Sequence, residues 1–229
     1  MKWLKGSLLA LGMAVSTTSS AAIVTVMGDD ISFTFDDASM YGTGLVVGNS
    51  LIFQPANFKA ESLDGAGVVT ASETLIIDVA VTTPGFDISS LGMFEQGDYI
   101  VDGVDASVTA SGRLGVVSPT KVCSFIACND ASIFNVAGLG DTGGATVDWS
   151  GGTSVDLADT AGWGTDTALQ ISFQNNLSAT TLNFGEQATI QKKLGAIGLV
   201  VNPIPVPAAL WLFGSGLLGL VAVARRKQS

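Results

Sequence analysis

The sequence contains no histidine. That removes every triad or dyad built on an imidazole base, and it takes away the commonest ligand of transition-metal sites. With only two cysteines, the chain also falls short of the four nitrogen and sulfur ligands of a structural zinc. Basic residues are scarce too. Of ten Lys and Arg, only Lys59, Arg113, Lys121, Lys192 and Lys193 lie between residues 23 and 204, whereas all 20 Asp and Glu fall there. That region therefore carries a net charge of about −15. Nucleic acid and anionic lipid both reward Lys and Arg, so neither is an expected partner. No phosphate loop, no dinucleotide fingerprint and no Gly-x-Ser-x-Gly elbow occurs. Charged residues make up 13% and hydrophobic ones 47%, a balance that excludes a disordered chain.

The same region lacks a helical apolar period. Short β-type segments recur between Gly, Asp, Asn and Ser: 31–35, 44–53, 67–83, 98–110 with an Asp-Gly turn at 102–103, 113–118, 145–149, 167–175, 178–184 and 187–201. In 168–174 the residues Leu169, Ile171 and Phe173 alternate with Gln170, Ser172 and Gln174, which sends one set to a core and the other to water. Strands spaced by turns without intervening helices predict an all-β fold, a single jelly-roll-like β-sandwich over residues 23–201. About eight to eleven strands fit in that length. The Gly- and Asp-rich stretch 138–166 is expected to form long loops.

Both ends differ from this middle. At the N-terminus, Lys2 and Lys5 precede an apolar run from Leu8 to Val15, and Ser19-Ser20-Ala21-Ala22 follows. This is the layout of a secretory signal peptide over residues 1–22, helical before removal, with signal peptidase expected to cut after Ala21 or Ala22. At the C-terminus, residues 202–229 place Pro205 and Pro207 before 17 uncharged residues, Ala208 to Ala224, with Arg225, Arg226 and Lys227 immediately after. As a helix, 208–224 is about 26 Å long, the lower limit of a bilayer span. The basic stub predicts that the chain before the span lies outside the cytoplasm.

The tail resembles a PEP-CTERM sorting signal, the tripartite C-terminal signal of bacterial exported proteins. Pro205-Val206-Pro207 stands at the Pro-Glu-Pro position, with valine in place of the usual glutamate, and 211–227 is similar to the family's span and basic tail. The resemblance covers roughly the last 25 residues. It implies export, an inner-membrane anchored precursor, and processing by an exosortase near the prolines. The mature protein is then held at, or released from, the cell surface, in the setting of extracellular polysaccharide. It implies nothing about what the carried domain does.

In an exported chain Cys123 and Cys128 are expected to form a disulfide closing a small loop. Free thiols in the core are the alternative. The carboxylates are the remaining source of chemistry. Asp29, Asp30, Asp36 and Asp37 flank the first segment, Asp98, Asp102 and Asp105 form a second group, and Asp141, Asp148, Asp156, Asp159 and Asp166 mark the Gly-rich stretch. Loop aspartates suit Ca²⁺, the one cofactor candidate, but Asp also favours turns for its bonds to nearby backbone N–H groups, and no EF-hand spacing is present. The expectation is therefore no metal site and no cofactor. Trp149 and Trp163 are candidates for stacking on sugar rings, or for core packing. Three readings follow, in this order: a non-enzymatic surface or matrix protein, a carbohydrate-binding module, and a secreted glycan-active enzyme with two converging acids.

Overall fold

The computed structural model describes residues 22–205 apart from 56 and 160, and leaves the side chains of 194–196 undescribed. No helix occurs among these residues, so none there is long and apolar enough to cross a membrane. The described residues form twelve strands: β1 (Ile23–Met27), β2 (Ile31–Asp36), β3 (Thr43–Val47), β4 (Ser50–Gln54), β5 (Lys59–Leu63), β6 (Gly67–Val81), β7 (Phe86–Asp102), β8 (Ser107–Cys123), β9 (Ile126–Asn135), β10 (Val147–Asp156), β11 (Ala168–Thr181) and β12 (Gln187–Pro205).

They make two antiparallel sheets that share one core. The first has the order β1-β2-β6-β11-β8-β9. In the second, β10-β7-β12 continues to β4 and β3, while β5 pairs with the earlier half of β12. The fold is thus a β-sandwich, with β11 and β12 inside their respective sheets. Alternation explains the layering. On β11, Leu169, Ile171, Phe173, Leu177 and Ala179 are buried. Facing them are Leu91, Met93 and Val101 of β7 with Ala188, Ile190, Ile197, Leu199 and Val201 of β12. An aromatic cluster of Tyr41, Phe53, Phe58 and Phe173 fills the space toward β4, with ring centroids 5.4–6.0 Å apart.

Three expectations are corrected. The strands number twelve, not eight to eleven, because short pieces such as β1 and β5 are separate strands and 44–53 is a hairpin of two. The stretch 138–166 is not all loop, since β10 runs through its middle and pairs with β7 from Val147↔Tyr99 to Asp156↔Ser90. Its two central glycines signal close approach rather than a turn: a Cβ on Gly151 would overlap the Phe134 ring, and one on Gly152 the Met93 carbonyl oxygen. Finally, β12 does not stop at Val201 but continues along β7 to Pro205↔Phe86, after an irregularity between Asn202 and Pro203. Proline brings no N–H to a ladder and is tolerated where pairing is one-sided, and only β7 lies beside this end of β12.

Candidate functional site

The centre of the sandwich holds a polar cluster that the apolar count conceals. Glu95 on β7, Lys192 on β12 and Asn175 on β11 each occupy a core-facing position in their strand's alternation. The Glu95 and Lys192 side chains are completely buried and ion-paired. Lys192 Nζ also donates to Asn175 Oδ1 at 2.9 Å. Asn175 Nδ2 donates to Tyr41 Oη at 3.0 Å, and that hydroxyl lies 3.0 Å from the Phe173 carbonyl oxygen and 3.1 Å from that of Glu73. Lys192 Nζ sits 5.1 Å from the Phe58 ring centroid and 5.5 Å from that of Trp149. Glu95 Oε1 has no hydrogen-bond partner among the described residues.

Burial governs the titration here. It pushes the Glu95 carboxyl well above the usual carboxylate range, and the attraction of Lys192 only partly opposes this. It pulls the Lys192 ammonium down, against the opposing pull of Glu95. Burial likewise raises the Tyr41 phenol, which therefore stays protonated. The cluster joins a nucleophilic amine, a carboxyl able to carry a proton, and a side-chain amide, all shielded from water.

The other carboxylates serve the rim. Asp36 Oδ1 accepts from Ala38 N, Asp141 Oδ1 from Gly143 N, and Asp156 Oδ1 from Ala158 N and Asp159 N, the local turn bonds typical of Asp. Asp30 exchanges hydrogen bonds with Asn49, Asp37 Oδ1 accepts from Ala22 N, and Asp105 Oδ2 accepts from Asn183. Asp98 and Asp148 flank Lys193. Asp166 is buried and fixes its loop to β8 through Ser118 and Thr120. No group of three acids or cysteines that could hold a metal ion occurs among the described residues. Glu186, in the turn from β11 to β12, accepts from the backbone N–H groups of Asn183, Asp105 and Leu182, and these bonds hold its carboxyl down to about 2.

Cys123 and Cys128 are joined by a disulfide across the tip of the β8–β9 hairpin, with Cα atoms 4.8 Å apart. Its two-residue turn, Ser124-Phe125, has φ of 50° and 76°, and Phe125 is fully exposed. Positive φ at a bulky residue is unfavourable, and the adjacent crosslink helps to hold it. Beside this hairpin an open groove of about 540 Å³ is lined by Val117, Lys121, Val122, Ala127, Asp78 and Gln170. Trp149 is buried on β10, and Trp163 packs against the core. Ala22 precedes β1, and Pro205 ends β12. Ala21, Val206, Pro207, Arg225, Arg226 and Lys227, with the expected signal-peptide and membrane helices, lie outside the described residues.

Sequence reasoning missed the central cluster. The available signal was a polar or charged residue on the apolar phase of a strand: Asn175 after Leu169, Ile171 and Phe173, Glu95 after Leu91 and Met93, and Lys192 after Ala188 and Ile190.

No protein-family model matches the chain, and no curated protein matches it. Among solved structures, the chain is similar to the infectious bursal disease virus VP2 subviral particle, with 13% identity and a TM-score of 0.28, covering 96% of this chain and 54% of that one. Structures of the Gx and Gt strains of the same virus give 12% identity each, TM-scores of 0.27 and 0.29, and cover 89% and 86% of this chain against 46% and 51% of theirs. The chain thus spans about half the length of these proteins. Likeness at this level says nothing about function.

Proposed function

We propose that this is an exported protein with a structural or interaction role at the cell surface or in the extracellular matrix, without catalysis, carrying its β-sandwich outside on a PEP-CTERM-like tail. The observation that carries the reading is the order of the C-terminus: prolines, an uncharged run of 17 residues, then Arg225, Arg226 and Lys227. The N-terminal signal-peptide layout and the disulfide, a bond of oxidising compartments, agree with it. We read the sandwich as jelly-roll-like, and exosortase and signal peptidase as the processing enzymes. Since β12 pairs up to Pro205, cleavage at that residue requires the strand end to peel from β7.

For the carbohydrate-binding alternative, Trp149 is buried on β10, whereas Trp163 is only partly buried against the core. The test is the mass and location of the mature protein in its own host, with and without the exosortase. Loss of both ends in wild type, with the tail retained in the mutant, supports the reading. An intact C-terminus in the membrane of both strains overturns it and leaves a plain single-pass anchor.

A further inference from the structure

We propose that Lys192 and Asn175 become joined by a covalent amide between Lys192 Nζ and Asn175 Cγ, formed within the folded domain with Glu95 as the proton carrier, and that this bond staples the two sheets together.

The geometry brings the two reacting groups into contact. Lys192 Nζ lies 2.9 Å from Asn175 Oδ1, with the electrophilic carbon one bond behind that oxygen. Contacts of about 3–3.5 Å between reacting groups, held by a rigid scaffold, convert a slow bimolecular step into a unimolecular one. The scaffold here is two interior strands, β11 and β12, in opposite sheets. The amide is held on its other side by Tyr41 Oη, which accepts from the nitrogen that must leave. Glu95 touches Nζ, and its second oxygen has no partner among the described residues, so it is free to take and give a proton. Phe58 and Trp149 enclose the amine, and the buried site keeps out the water that would compete as nucleophile.

The step balances. Glu95 takes a proton from the Lys192 ammonium, leaving a neutral amine. The amine lone pair forms the Nζ–Cγ bond, and the carbonyl π electrons move to Oδ1. The tetrahedral centre collapses by breaking Cγ–Nδ2. Glu95 hands its proton to the departing nitrogen and receives one from Nζ. Ammonia leaves, the new amide keeps one N–H, and Glu95 ends protonated. No oxidant, metal or nucleotide is consumed. Burial favours each participant in the form the reaction needs, a neutral amine and a neutral acid. An ordinary buried ion pair gains little net stability, because desolvation opposes the Coulomb attraction. A reaction that ends with an uncharged amide beside an uncharged acid removes that cost.

The bond requires only the folded domain, so its test is independent of export. The full-length chain is purified, its disulfide reduced, its intact mass measured, and the denatured protein cleaved after Glu186, which separates Asn175 from Lys192 in sequence. The expected result is a mass short by one ammonia and two fragments that stay joined under reducing, denaturing conditions. Fragments that separate, with the full mass retained in a folded protein, overturn the proposal. Glu95→Gln keeps the shape and loses the proton carrier: the full mass and separable fragments are expected. Should that variant crosslink as wild type does, Glu95 is not the proton carrier and that part of the proposal fails. Should it fail to fold, the wild-type mass and fragment pattern still decide.

Discussion

Two glutamates, one between the sheets and one in a turn at the end of β12, are held in opposite ways. Glu95 lies in the dry centre between the sheets, with one oxygen on Lys192 and the other unpartnered among the described residues, and its carboxyl is pushed up. Glu186 lies in the turn that joins β11 to β12, where three backbone N–H groups converge on it, and its carboxyl is held down at about 2. Number and type of donors, set against loss of water, decide which form a carboxyl keeps. At the centre one cation does not make up for the lost solvent. At the rim, backbone donors hold the charged form. The centre is built to hold groups near neutrality, and the rim to hold charge.

The largest expected effect comes from breaking the central pair. In an Asn175→Ala background, where no amide can form and the charged pair persists, Glu95→Ala leaves Lys192 buried without its carboxylate and is expected to cost about 3–5 kcal/mol in urea unfolding. The double variant Glu95→Leu/Lys192→Met should recover most of that loss, since no uncompensated charge remains. If the double variant is as damaged as the single one, the centre is held by packing and not by charge. Next comes the hairpin tip. Cys123→Ser/Cys128→Ser removes a small ring, for which loop entropy gives about 2 kcal/mol, and hydrogen exchange should rise at β8 and β9 while the central strands stay protected.

The rim carboxyl has a pH signature. Its folded value is lowered from 4.5 to about 2, so its stabilisation is complete above pH 4.5 and is lost as pH falls toward 2. Acid unfolding of Glu186→Gln should lack that part of the slope, although the variant is already less stable at neutral pH. The smallest effect is reserved for Lys59 and Glu61, half-exposed and 3.0 Å apart on β5. Lys59→Ala should change stability by under about 1 kcal/mol in the same urea assay.

The comparison also shows what a sequence can reveal. Period-two alternation exposed the β class and the buried face of β11, and the Asp-Gly pair marked the bend where Gly103 adopts φ of 126°. The start of β10 lies in the expected segment 145–149, but propensity hid the rest, because Gly151 and Gly152 look like loop until Phe134 and the β7 backbone are known to press against them. It hid β5 as well, whose buried positions are the small residues Ala60 and Ser62. The central cluster was invisible for a different reason. Glu95, Asn175 and Lys192 are far apart in sequence, and only the pairing of β7 with β12 and the facing of β11 bring them together. The turn bonds of Asp36, Asp141 and Asp156, by contrast, are local, which is why their role could be anticipated.

The measurement that goes most directly to the contrast between centre and rim is a carboxyl-carbon NMR titration of Glu95 and Glu186 in Asn175→Ala, which keeps the Glu95–Lys192 pair and cannot form the amide. The account predicts that Glu95 takes up its proton near pH 7, and Glu186 only near pH 2. Both carboxyls titrating together near 4.5 would contradict it, and with it the claim that the centre of this sandwich is a prepared chemical site.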